Sequence, residues 1–148
     1  MSTDEKVTKD LIQTLEDGTN GFQSAAEKLS DSDRADLATR FTSYSAERSQ
    51  FADELRSMAA AYGDQINESG SVAASAHRGW MAVKDALNGS SPSGVLDVAE
   101  QGEDHAVSEY RKALDEDISP ELRAVVQRQF QSVQAAHDEV KTLRNEFN

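Results

Sequence analysis

Apolar and small residues recur along this chain in alternating steps of three and four. Leu11, Leu15, Gly18, Phe22, Ala25 and Leu29 form one series; Leu37, Phe41, Tyr44, Arg48, Phe51, Leu55, Met58 and Tyr62 form a second. Both series return 85 positions later. The first becomes Leu96, Glu100, Glu103, Val107, Tyr110 and Leu114, and the second Leu122, Val126, Gln129, Val133, Ala136, Val140, Leu143 and Phe147. Such steps line up side chains in one stripe along a helix. The period-two alternation and β-branched clusters of strands are missing. The pattern predicts an all-α chain built from two copies of a helical hairpin.

The first helix is expected from near Thr3 to Leu29, with Ser2 and Glu5 at capping-box spacing. Gly18 and Gly21 fall inside it. A glycine costs about 1 kcal/mol relative to alanine in a helix, so these two point to the close approach of a neighbour or to a kink. Ser30 and Asp33 are placed to cap a second helix that continues to about Tyr62, where Gly63 is a stop signal. Hairpin 1 thus spans about residues 3–62.

A crossover of about residues 63–94 follows. Its centre, Ser71 to Leu87, puts Val72, Ala76, Trp80, Val83 and Leu87 on one face and predicts an extra helix, while Asn88 to Gly94 reads as loop. Hairpin 2 covers about residues 95–147, with helices over Val95 to Glu116 and from Ser119-Pro120-Glu121 to near the C-terminus. Two antiparallel hairpins and a long connection make a four-helix bundle with a crossover, in a single domain over 1–148.

Charge narrows the partners. Fifteen Lys and Arg are scattered among 27 acids, for a net charge of −12. Nucleic acids and anionic membranes are bound largely through basic residues, so neither is expected here. No apolar run reaches the roughly 18–20 residues of a membrane span. The start of the chain lacks a basic segment followed by an apolar one, and there is no Cys to make disulfides or thiolate metal sites. A cytoplasmic location is the expectation. An acidic surface suits solubility, cations or a basic partner, and the pattern is compatible with a homo-oligomer.

Polar residues interrupt the core stripe at Arg48, Glu100, Glu103 and Gln129, and at its margin at His137. A carboxylate there must be compensated. Glu103, set among Leu96, Ala99, Ala106, Val107 and Tyr110, should face the other helices. Two readings compete. In one, Arg48 pairs with Glu103 and His137 takes a hydrogen bond, making a buried polar cluster. In the other, Glu103 and Gln134-x-x-His137 form part of a metal site for iron, manganese or zinc. Bundles of this class place one Glu on each of two helices and Glu-x-x-His on each of the others. Here Gln134 replaces a Glu. Glu47 and Glu27 are the nearest first-hairpin candidates, and the positions equivalent to Glu103, Gln134 and His137 are Gly18, Ser49 and Ala52. No nucleophile elbow or P-loop spacing occurs.

The segments Asp10-Leu11-Ile12-Gln13-Thr14-Leu15-Glu16-Asp17-Gly18, Gly21-Phe22, Ala25-Ala26-Glu27, His77-Arg78-Gly79-Trp80, Gly102-Glu103-Asp104 and Ala135-Ala136-His137-Asp138 resemble the bacterial ferritin-like four-helix-bundle proteins grouped as a domain of unknown function. More distantly, Glu103 with Gln134-x-x-His137 is similar to the second half of rubrerythrin-type di-iron proteins. That second resemblance implies peroxide or oxygen chemistry at two metals. The chain departs from it at Gln134 and in having no first-half His. The expected function is a non-catalytic interaction or structural protein, with a stress link as one option and a degenerate metal site. The alternative is a metal-dependent oxidoreductase or metal-storage protein.

Overall fold

Four long helices pair into two hairpins in the computed structural model of the chain, which describes residues 3–30, 34–61 and 92–146. They are α1 (Thr3–Ser30), α2 (Ala35–Ala61), α3 (Pro92–Asp115) and α4 (Pro120–Glu146). No strand occurs among the described residues. No helix among them is long and apolar enough to cross a membrane. The expected crossover helix with His77 and Trp80, the Gly63 stop and the capping residues Ser2 and Asp33 lie outside the described residues.

Two boundaries differ from the expectation. α3 begins at Pro92 rather than Val95. Proline, serine and glycine read as loop, yet proline suits a first helical turn, where its missing N–H would have had no intrahelical partner. Ser30 belongs to α1, its hydroxyl donating to the Glu27 carbonyl at 2.8 Å, and so does not cap α2. The start of α4 follows its sequence signal. Leu122 N donates to Ser119 Oγ at 3.3 Å, and Ser119 N donates to Asp4 Oδ1 at 2.9 Å, which ties the first turn of α1 to the start of α4. Arg123 donates to the Leu114 and Glu116 carbonyls at 2.8 Å each, satisfying acceptors at the end of α3.

α1 packs on α2 and on α3, and α4 packs on α3 and along a narrower seam with α2. The core has two apolar clusters. One joins Phe22, Ala25 and Leu29 to Leu37, Phe41, Leu96, Ala99 and Val140. The other joins Leu11 and Leu15 to Ala52, Leu55, Val107, Tyr110, Leu122, Val126 and Val133. The end of α1, the starts of α2 and α3 and the end of α4 therefore meet at one pole. α1 and α4 run one way, and α2 and α3 the other. Consecutive helices α2 and α3 are parallel, so the end of α2 and the start of α3 lie at opposite poles.

The repeat is visible in the burial. Leu11, Thr14, Gly18, Gly21, Phe22 and Ala25 are buried in α1, and so are their counterparts Leu96, Ala99, Glu103, Ala106, Val107 and Tyr110 in α3. Leu37, Phe41, Arg48 and Leu55 correspond in the same way to the buried Leu122, Val126, Val133 and Val140.

Candidate functional site

A polar layer lies between the two apolar clusters. Its centre is Arg48 of α2 and Glu103 of α3, with Nη2 donating to Oε2 at 2.6 Å and side chains only 1% and 0% exposed. α1 makes the room for it. A Cβ added at Gly18 would lie 3.3 Å from Arg48 Nη1, so the guanidinium occupies the space that any other residue would need. The Arg48 Cζ also sits 5.2 Å from the centroid of the Phe22 ring, a cation–π placement. Burial pushes the Arg48 pKa down, but the charge and hydrogen bond of Glu103 outweigh this and hold it above the ordinary value. The pair is charge-assisted and buried, strong in itself and costly to break from one side.

A second set of contacts continues from it. The Tyr110 hydroxyl donates to Gln129 Oε1 at 2.7 Å, and Gln129 Nε2 donates to Glu54 Oε1 at 2.8 Å and to the Phe51 carbonyl at 3.3 Å. Glu54 also accepts from Arg128. Burial raises the Tyr110 pKa far above its usual range. At the opposite pole, Glu139 accepts from Tyr44 and pairs with Arg40 at 2.9 Å. Burial first, and then Glu139, raise the Tyr44 pKa. The α2–α4 seam is thus bridged by long polar side chains where direct apolar contact is least.

The residues picked out in the sequence do not all meet. Arg48, Glu103 and Gln129 are buried as expected, and Arg48 pairs with Glu103. Glu100 lies at the margin, 2.8 Å from Arg144 Nε. His137 is half-buried and does not reach Glu103. Its Nε2 lies 2.6 Å from Asp104 Oδ1, on the residue next to Glu103, and its Nδ1 lies 3.2 Å from Asp138 Oδ1. Gln134 and Glu47 are half-buried and Glu27 is exposed. Glu27 lines a groove of about 730 Å³ on the outer α1–α2 face. Among the described residues no hydrogen bond or ion pair joins Glu27, Glu47, Gln134 or His137 to Glu103, and no group of three or more His, Cys, Asp and Glu is arranged to hold a metal ion.

As placed, these donors do not fit a two-metal centre. The buried Glu103 carboxylate already binds a guanidinium, both His137 ring nitrogens face surface carboxylates, and Gln134 brings no charge.

Some contacts escaped the sequence reading, among them the Tyr110–Gln129–Glu54 chain and the Tyr44–Glu139 contact. Asp17 is 1% exposed and accepts from Gln13 Nε2 at 3.2 Å. Gln129 was visible as a polar break in the α4 stripe, but a stripe does not reveal which helix faces it. Chemically, the layer holds groups fixed. An arginine does not titrate in proteins, its carboxylate partner is committed to it, and both tyrosines stay protonated at neutral pH. The layer places charge and hydrogen bonds between helices.

A comparison with curated proteins gives no significant match. A family profile matches residues 5–117, a span that covers all but the first two residues of α1, takes in α2 and α3, and stops before α4. By that match the chain belongs to the family described as a domain of unknown function, DUF2383.

Proposed function

We propose that this chain is a non-catalytic, cytoplasmic bundle protein of ferritin-like type that acts through its scaffold and surface, with a guanidinium where a metal-binding bundle would carry a cation. The observation that carries the reading is the Arg48–Glu103 pair, enclosed at 1% and 0% exposure with a 2.6 Å contact. It neutralises the core carboxylate from within. The ferritin-like assignment is supported by the helix order: two antiparallel hairpins in which α2 and α3 run parallel across a long connection. Among the described residues, the buried members of the layer are an ion pair and hydrogen-bonded side chains rather than a nucleophile set against a base. An interaction or structural role is what this arrangement serves, and the net charge of −12 favours a basic partner over an anionic one.

Elemental analysis of the full chain, purified without chelator or metal-affinity resin, tests the reading. The expected outcome is no stoichiometric iron, manganese or zinc and no metal-dependent turnover of peroxide or oxygen. A stoichiometric metal that disappears when Glu103 and His137 are replaced by alanine would overturn it in favour of a metal-dependent oxidoreductase or storage protein.

A further inference from the structure

The contact between Arg48 and Glu103 is half of a fork. In an arginine side chain the Nε–H and one Nη2–H point the same way and match the two oxygens of a carboxylate. Only the Nη2 to Oε2 arm is made. Arg48 Nε and Glu103 Oε1 are both enclosed, and among the described residues neither has a hydrogen-bond partner. One is a donor on a cation and the other an acceptor on an anion, the kinds of buried atom that are most costly to leave unmatched.

The guanidinium is not free to swing and close the fork. Its Nη1 abuts α1 at Gly18, 3.3 Å from where a Cβ would stand, and its Cζ lies 5.2 Å from the Phe22 centroid. The arm already made is short at 2.6 Å. Whatever completes the site must accept from Nε–H and donate to Oε1. A metal cation cannot accept, a proton-free anion cannot donate, and the pair needs no further charge. A small neutral molecule that does both, as water does, meets these requirements. We infer that one water molecule is held between Arg48 Nε and Glu103 Oε1, an internal bridge from α2 to α3. Buried waters in proteins serve this role for otherwise unmatched polar atoms.

The inference is independent of the proposed function. Metal analysis decides that reading, whereas the water is sought by NMR and diffraction. In the full chain labelled with ¹⁵N, the Arg48 Nε–H resonance should show a cross-peak to water with the sign of a long-lived contact. A high-resolution crystal structure should show density within about 2.6–3.2 Å of both Nε and Oε1. A direct Nε to Oε1 hydrogen bond, or an Nε–H with no water contact, overturns it. Arg48→Lys keeps the charge and removes the Nε–H, so a folded variant must lose the bound water. If that variant does not fold, the native chain decides alone.

Discussion

Gly18 and Arg48 stand at the midpoint of the first hairpin's core stripes, and Glu103 and Val133 stand at the equivalent points of the second. Away from this level the hairpins bury matching positions: Leu11 and Leu96, Phe22 and Val107, Leu37 and Leu122, Leu55 and Val140. At the midpoint they diverge, and the divergence is complementary. Two copies of the first hairpin would bring two arginines together, and two copies of the second would bring two glutamates. Either arrangement would bury like charges and need an external counter-ion. One of each gives a neutral pair at 2.6 Å, with Gly18 providing the room that the arginine head fills. The asymmetry at one level of a repeated core thus supplies the counter-charge of Glu103 from within the chain.

Breaking one half of that pair should have the largest effect. Glu103→Ala leaves the Arg48 guanidinium buried without its partner, and the expected loss is about 3–5 kcal/mol, read from urea or thermal unfolding. Replacing both members by apolar residues, as in Arg48→Met with Glu103→Leu, should recover most of that loss. It would make the midpoint apolar in both hairpins. A double variant no more stable than Glu103→Ala would show that the pair is not what separates the hairpins.

Gly18 sharpens the comparison next. Alanine is favoured over glycine in a helix by about 1 kcal/mol. At this position its methyl group would meet Arg48 Nη1 at 3.3 Å, and that head is hemmed in by Glu103 and Phe22. Gly18→Ala is therefore expected to destabilise the native chain by about 1 kcal/mol. In the Arg48→Met, Glu103→Leu background it should instead stabilise by a similar amount. The sign change in this cycle is the measurement. An equal effect in both backgrounds would separate Gly18 from the arginine.

The repeat made most of this fold legible before any coordinates. Stripe spacing located all four described helices, and Ser119-Pro120-Glu121 marked the start of α4 because capping chemistry is local. Pro92 and Gly94 misled, since proline is equally at home in a loop and in a first helical turn. Arg48 and Glu103 were identifiable as partners because both broke a core stripe with opposite charges. His137 was placed too near Glu103. On a helix, adjacent residues differ in direction by about 100°, so a small error in facing moved its contact to Asp104. Glu54, Tyr44 and Glu139 could not be paired from sequence, as long side chains at a seam reach partners that periodicity does not identify.

A hydrogen bond within the layer should matter less than its ion pair. The Tyr110 hydroxyl donates to Gln129 Oε1 at 2.7 Å, and both side chains are 0% exposed. Tyr110→Phe keeps the ring against Phe130, whose centroid is 6.2 Å away, and removes only the donor. The expected loss is about 1–3 kcal/mol, because the Gln129 carbonyl is left buried and unmatched. Gln129→Leu in the Tyr110→Phe background should restore part of it, bringing this level of α4 closer to an apolar stripe.

The smallest effect belongs to His137, at the edge of the layer. Burial lowers its pKa, and hydrogen bonds with Asp104 and Asp138 outweigh that, so the folded value lies above the ordinary one. Both ring nitrogens can donate to these carboxylates only when the ring is protonated. The contribution is therefore complete below the unfolded value of about 6.5 and disappears as the pH rises through the raised folded value. The two aspartates are 61% and 69% exposed, so solvent screening keeps the contribution below about 1 kcal/mol. Unfolding curves of the native chain and His137→Gln, compared from pH 5 to 9, should show the native advantage at the acidic end fading toward the alkaline end. NMR titration of the imidazole in Asp104→Asn should move its pKa down, since that variant removes the 2.6 Å carboxylate from α3. An imidazole that titrates unchanged in Asp104→Asn would detach His137 from α3 and leave it bound only to its neighbour on α4.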